Sequence, residues 1–222
     1  MHTLDQPQKL KKYIDLYRLN RIFSFDLEKA ARLVVYDMDE MIVQTHEKND
    51  NFLILVEGEC IAFTLTAEDQ IHCERYFRPM DIMGLISVIW GSGAINDIRA
   101  LTPCLFIAIP MEKYRSVLLD DVKFLRFSVK YLAGHIRENA RQFEPLQTRL
   151  ANFILKMEND GLFHQNLTLV ANLLGTSYRH LLRTIRLYCE NGILEKEKRG
   201  YYRILDREKL QLIDAGEILN FD

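Results

Sequence analysis

Tyr178, Arg179, Arg183 and Arg186 fall on the polar side of a short amphipathic segment, within two to three helical turns of one another. Donor-rich side chains on a rigid helix bond phosphates and the edges of bases, so this pattern points to nucleic acid as the partner. The segment needs elements to hold it. Leu167 to Leu194, LTLVANLLGTSYRHLLRTIRLYCENGIL, reads as two short helices joined by a tight turn. Leu169, Val170, Leu173 and Leu174 recur at helical spacing and face a core. Gly175 supplies the positive φ wanted just past a helix end, and Thr176 and Ser177 offer hydroxyls to cap the next helix. There Leu181, Leu182, Ile185 and Tyr188 or Cys189 form the expected buried stripe. Such a pair is a helix-turn-helix, whose second helix enters the DNA major groove with its N-terminal side chains leading.

The residues that follow extend this reading. Gly192-Ile193-Leu194 closes the second helix, and Glu195 to Ile204 (EKEKRGYYRI) reads as a charged hairpin turning at Arg199-Gly200. A hairpin directly after a helix-turn-helix makes it winged. Lys196, Lys198 and Arg199 then sit near phosphates, where cations gain from counterion release. From Thr176 to Lys209 nine Lys or Arg stand against five Asp or Glu, whereas residues 1 to 144 carry 18 basic and 21 acidic side chains. A net charge of −2 therefore conceals a basic end.

Composition narrows the remaining classes. A chain of 222 residues suits one or two domains with a real core. No apolar run approaches the roughly 18 residues that span a bilayer, and the N-terminus lacks the apolar block of a signal peptide. The expectation is a cytoplasmic protein with no membrane partner. Cysteines at 60, 73, 104 and 189 show no CxxC spacing, so no zinc or cluster ligand set has local support. On paired strands Cys60 and Cys73 stand four positions out of register, about 13 Å apart along the strand, too far for a disulfide. His46 and His72 are isolated, which leaves haem without an axial ligand pattern, and no two histidines are closer than His164 and His180. A nucleophile elbow, a P-loop and an HExxH motif are all missing, so the chain is not read as an enzyme.

Along the chain the texture changes twice. Residues 1 to about 30 have helical patterning, with Leu10, Tyr13, Ile14 and Tyr17 on one side. Short runs rich in Val, Ile, Phe and Thr follow: Leu33–Tyr36, Met41–Gln44, Phe52–Val56, Cys60–Thr66, Ile71–Phe77 and Leu105–Ile109, with turns at Gly58 and Ala67–Gln70. Six strands at this spacing imply a sandwich or barrel. Near Asp120 a helical period returns, and Leu125, Val129, Leu132, Ile136, Asn139 and Phe143 make a 4-3-4-3-4 seam that Pro145 ends. The seam either packs on the β domain or meets its twin in a homodimer, where a buried Asn139 pairs with its symmetry mate. A further helix, Gln147 to Met157, leads to the helix-turn-helix.

The order of β-roll, long seam helix and winged helix-turn-helix resembles the Crp/Fnr superfamily of bacterial transcription regulators over nearly the whole chain. Phe52-x-Leu-x-x-x-Glu57-Gly58-Glu59 is similar to its strand-turn segment, and Met80-Asp81-x-x-Gly84 to its G-D-x-x-G turn with Met80 in place of the first glycine. Ile109 to Asp121 (IPMEKYRSVLLDD), Arg149 to Leu155 (RLANFIL) and Ser177 to Arg183 (SYRHLLR) look like the YeiL-type subgroup. The resemblance implies an α+β fold in three parts. Residues 1–118 form an effector-type, cyclic-nucleotide-binding-like β-roll (jelly roll) with an N-terminal helix; 119–144 form a dimerisation helix; 145–222 form a winged helix-turn-helix.

The resemblance also implies a role for each residue. Tyr178, Arg179 and Arg183 match the positions that read bases. Arg183 keeps an arginine that can bridge two acceptors of guanine, Arg179 can do likewise, and Tyr178 is suited to a thymine methyl or a phosphate. Thr168, Ser177 and His180, with Lys198 and Arg199 of the wing, are expected on phosphates. Where cyclic-nucleotide binders carry a Gly-Glu pair and, about ten residues on, an Arg-Ser pair, this chain has Gly84-Leu85 and then Ala94-Ile95 or Ile95-Asn96. That argues against cAMP or cGMP, and the lack of cysteine before position 60 argues against the family's iron–sulfur cluster. No cofactor is expected and the effector is unknown. The expected function is a homodimeric, sequence-specific regulator on a palindromic operator in double-stranded DNA, with RNA polymerase a further partner if it activates. The alternative is a ligand-sensing β-roll whose winged domain contacts protein. The resemblance implies that any switch runs through a hinge near Glu144 to Leu146.

Overall fold

The computed structural model describes residues 1–48, 50–65, 71–198 and 200–219. The chain divides into two compact units, one ending at Gly134 and the other starting at His135.

The first unit opens with β1 (His2–Leu4), a strand inside the segment the periodicity assigns to helix, followed by α1 (Pro7–Leu16) and α2 (Leu27–Ala30). Then come β2 (Arg32–Tyr36), β3 (Met41–Val43), β4 (Asn51–Glu57), β5 (Cys60–Leu65), β6 (Ile71–Phe77), β7 (Ile82–Met83), α3 (Leu85–Trp90), β8 (Asp97–Ala100) and β9 (Cys104–Pro110). Helices α4 (Met111–Asp120) and α5 (Val122–Ala140) follow, and α5 runs across the unit boundary. The strands form two antiparallel sheets, ordered β1-β2-β9-β4-β7 and β3-β8-β5-β6.

Strand β4 shows why this unit is a roll with helices on its back. Phe52, Ile54 and Val56 pack with Leu10, Ile14, Phe23, Leu118 and Phe124 of the helical side. Leu53 and Leu55 face the other way, onto Cys60, Ala62, Phe77, Ile98 and Ala100 of the second sheet. A strand buried on both faces reads as a continuous apolar run instead of an alternating one, which is what FLILV is. Strand β9 divides in the same manner, Ile107 and Ile109 to the helices and Phe106 and Ala108 to the interior.

Two turns carry sequence signals. Gly58 (φ 90°) leaves no room for a side chain, since an added Cβ would lie 2.3 Å from the Pro103 carbonyl oxygen. Met80 has φ 79°, the left-handed conformation that glycine adopts at least cost. Met80 thus takes a glycine-type conformation at the position where the G-D-x-x-G pattern has its first glycine. The β5–β6 register puts Cys60 opposite Phe77 and Cys73 opposite Phe63, and none of the four cysteines is in a disulfide. The Ala67–Gln70 turn lies outside the described residues.

Helix α5 is seated by polar groups as well as by Phe124. The Asp121 carboxylate accepts from the Lys123 and Phe124 N–H groups at its start, and from the Ser24 N–H (2.6 Å) and hydroxyl (2.9 Å). Farther along, the Tyr131 hydroxyl accepts from Arg75 (2.6 Å) and from the Ile82 N–H (3.1 Å), and Arg75 also pairs with Asp81 at 2.7 Å. On the seam, Val129 is 66%, Ile136 72% and Phe143 85% exposed, while Leu132 and Asn139 also face solvent. Leu125 differs: it is half-buried against the roll's helical core. The α-helix stops at Ala140, and Phe143 sits in a 3₁₀ turn.

The second unit contains α6 (Leu146–Met157), β10 (Leu162–His164), α7 (Leu167–Leu173), α8 (Tyr178–Glu190), β11 (Leu194–Lys198), β12 (Tyr201–Ile204) and α9 (Arg207–Asp214). Its sheet has the order β10-β12-β11. Within this unit Lys156 pairs with Glu138 of the last turn of α5 at 2.7 Å, and Arg141, in the 3₁₀ turn after it, bonds Glu144 and Asp214.

Burial raises the Asp121 pKa, but four hydrogen bonds outweigh it and hold this carboxyl below its ordinary value. The folded state therefore binds this proton more weakly than the unfolded chain. Its stabilisation is complete above about pH 4 and is lost as pH falls through the lowered value. Asp121→Asn is expected to cost about 1–3 kcal/mol at neutral pH and to remove that part of the acid sensitivity, as urea unfolding between about pH 3 and pH 7 would measure.

Candidate nucleic-acid interface

Helix α8 begins where its sequence says it should. Ser177 takes an extended conformation, and its hydroxyl accepts from the His180 N–H at 3.2 Å. One helix earlier the Asn166 side chain caps α7, accepting from Thr168 N–H (3.0 Å) and Leu169 N–H (3.3 Å). Between the helices Gly175 adopts φ 56°. Arg149 of α6 completes the turn: its guanidinium donates to the Leu174 carbonyl at the end of α7 and to the Glu144 carbonyl (3.0 Å). A cation there meets the negative end of the helix. Nothing in the local pattern marks Arg149 for this role, because its partner is 25 residues away.

The buried side of α8 consists of Leu181, Thr184, Ile185, Leu187 and Tyr188. Thr184 is tolerated there because its hydroxyl donates to the His180 carbonyl at 3.1 Å. Tyr188 donates to the Gln147 carbonyl at 2.5 Å. Leu182 departs from the sequence expectation: it is exposed, not part of the buried stripe. Arg179, Leu182, Arg183 and Arg186 consequently form one solvent-facing row at spacings of three, one and three residues, with Tyr178 and His180 beside its start. The Thr176 hydroxyl lies 3.4 Å from His180 Nδ1.

Of the remaining candidates, Thr168 is exposed in the first turn of α7, and Lys196 and Lys198 are exposed on β11. Arg199 lies outside the described residues. The wing is broader than a hairpin, since β10 adds a third strand with Phe163 opposite Tyr202 and His164 opposite Tyr201. Phe163 and Tyr202 sink into the core with Leu150, Leu181, Ile185 and Tyr188, which fixes the wing against the recognition helix.

In the roll, Gly84 (φ 86°) opens α3 and Leu85 is buried in the helical core. Ile95 is exposed, the Asn96 amide donates to Glu74, and Arg99 lies in β8 with its guanidinium over the Phe63 ring.

Comparison with known proteins follows these two units. Residues 33–121 match the cyclic nucleotide-binding domain family and residues 148–213 the Crp-like helix-turn-helix domain family. The regulatory protein YeiL of Escherichia coli O157:H7 is 31% identical over 193 residues, 85% of this chain and 88% of that protein. Among solved structures, FixK2 from Bradyrhizobium japonicum superposes with a TM-score of 0.72 at 19% identity, over 85% of this chain and 99% of that one. TTHA1359, a transcriptional regulator of the CRP/FNR family from Thermus thermophilus, gives 0.65 at 17% identity, over 83% and 98%.

Ser177 has two separable properties, a cap and a position at the head of α8. Ser177→Ala should lower stability by about 1 kcal/mol. Ser177→Asp should retain the cap, so thermal melting would rank the aspartate above the alanine variant.

Proposed function

The chain belongs to the Crp/Fnr superfamily of bacterial transcription regulators, with a YeiL-type sequence, and we propose that it binds a palindromic operator as a homodimer through the first turns of α8. The observation that carries this reading is the row Arg179, Leu182, Arg183 and Arg186, exposed on a helix whose other face is locked into a core. Arg179 and Arg183 read guanine, and Leu182 offers an apolar contact for a thymine methyl. Tyr178, Thr168, Ser177, His180, Lys198 and Arg199 position the protein on phosphates or at the groove edge. The dimerisation helix, expected at 119–144, is α5 with the 3₁₀ turn after it, and two copies join through Val129, Leu132, Ile136, Asn139 and Phe143, with Leu125 at the margin. Two recognition helices then face half-sites roughly 34 Å apart.

A cyclic nucleotide does not fit the residues at hand. A ribose needs a hydrogen-bond acceptor and a cyclic phosphate needs a cation, whereas Leu85 is packed in the core and Ile95 is apolar and exposed. We therefore propose control by something other than cAMP or cGMP. Among the described residues no helix is long and apolar enough to cross a membrane, and a regulator that binds DNA works in the cytoplasm. Contact with RNA polymerase belongs to the case in which the protein activates.

Selection of fragments from a random-sequence DNA library, followed by gel-shift titration at several salt concentrations, tests the reading. A palindromic consensus and a steep fall of affinity with salt are expected. Failure to enrich any sequence, or a flat salt response, would favour the protein-contacting alternative. Arg179→Glu and Arg183→Glu should each weaken operator binding by about five- to 150-fold, the equivalent of about 1–3 kcal/mol for a good bidentate base contact, and leave the oligomeric state unchanged. Ile136→Glu should do the reverse: sedimentation velocity is expected to give a monomer that has lost operator affinity with α8 intact.

A further inference from the structure

Strand register places His164, Tyr201 and Lys198 side by side across β10, β12 and β11. His164 and Tyr201 share the face of this sheet opposite to Phe163 and Tyr202, because neighbouring residues on a strand point to opposite sides, and the β-bulge between Lys196 and Lys198 brings Lys198 onto the Tyr201 ring. The His164 and Tyr201 rings are stacked, with centroids 3.7 Å apart and planes 13° from parallel. Lys198 Nζ lies 3.9 Å from the centroid of the same Tyr201 ring. Two groups this close to one ring cannot occupy the same face of it, so the phenol ring stands between the imidazole and the ammonium. Glu197, the acid next to Lys198 in sequence, is engaged by Arg203.

A lysine has one of the most mobile side chains, and its ordering opposes any contact it makes. A cation over an aromatic face is held by the ring's quadrupole, and its outward N–H donors are left for other acceptors. Resting on the DNA-binding reading above, we infer that Tyr201 is a positioning residue for operator binding. Stacked on His164, it orders the Lys198 ammonium before DNA arrives, so the wing meets a phosphate with a cation already in place. Tyr201 acts through Lys198, and β10 contributes to affinity by supplying the ring that braces it.

The test uses the full chain and a DNA fragment recovered by selection, with affinity measured by fluorescence anisotropy between about 50 and 200 mM salt. Lys198→Met is expected to lower the slope of log affinity against log salt by about 0.9, the value of one phosphate contact. Tyr201→Leu should give a fall in slope in the same direction, Tyr201→Phe should keep the wild-type slope, and the Lys198→Met/Tyr201→Leu pair should lose no more than the lysine change alone. His164→Leu, which leaves Lys198 and Tyr201 in the sequence, should lower the slope partway. A wild-type slope in a Tyr201→Leu protein that melts normally would overturn the inference, as would additivity of the two changes. Should Tyr201→Leu melt early, an unchanged slope in His164→Leu overturns it instead. If the wild-type protein binds no recovered fragment, both this inference and the DNA-binding reading fall; if it binds and the variants match it, only this one does.

Discussion

A single buried hydrogen bond, from the Tyr188 hydroxyl to the Gln147 carbonyl at 2.5 Å, sets the frame on which the recognition helix stands. A helix that turns arginines outward is held by its other side alone. On α8 that side is Leu181, Ile185 and Tyr188, and Tyr188 is the largest fully buried side chain among the described residues. Its hydroxyl would be costly to bury without a partner, so α8 is fixed in rotation and in height against α6. Burial pushes the Tyr188 phenol up in pKa. The Gln147 side chain is held in turn by the Leu219 N–H (2.9 Å) and carbonyl (2.8 Å). Rotation of α8 by one residue, about 100°, would carry Arg179 out of the row and Leu181 into water. The pairing of the exposed row with this one bond is therefore what gives the sequence of the first turns a meaning.

The roll is governed by a different constraint. Its central strands β4 and β9 are buried on both faces, so their ladders are fixed by two cores at once and a slip of one residue would exchange the two faces. That rigidity explains how the turn at Met80 holds its left-handed backbone without a glycine: the Met80 N–H bonds the Leu55 carbonyl at 2.8 Å, and Asp81 accepts from the Arg78 N–H at 2.9 Å. Strain of this kind persists where the surroundings over-determine it. Leu85, at the start of α3, packs into the helical-side core of the roll.

Those two constraints also decide what could be read from the sequence. The helix-turn-helix was legible because caps, a turn glycine and the helical period all act within a few residues. Leu182 was not, since it follows Leu181 and an apolar neighbour on a helix looks like core until a third element fixes the rotation; Thr184 was missed for the converse reason. Strands β1, β7 and β10 have two or three residues each, too few for an alternation to register, and they exist because a partner strand offers its edge. The tie from Arg149 to Leu174 and that from Arg141 to Asp214 depend on distant contacts and leave no local mark. Strand β8 was not among the expected strands, and the place of its Arg99 above Phe63 likewise rests on a contact distant in sequence.

The seam helix joins these arguments. Its first half is held by the roll through Phe124 and Tyr131, and beyond the unit boundary Glu138 pairs with Lys156 within the second unit. Neither unit covers Val129, Leu132, Ile136 or Phe143, which remain exposed. Single exposed apolar residues are ordinary, but a line of them at 3-4 spacing on one helix is the pattern of a helix that lacks its partner. In the proposed homodimer an identical helix buries the line against itself, and Asn139 meets its own copy, a polar pair that penalises other registers. On this reading the line of exposed side chains is the surface through which two copies of the chain meet.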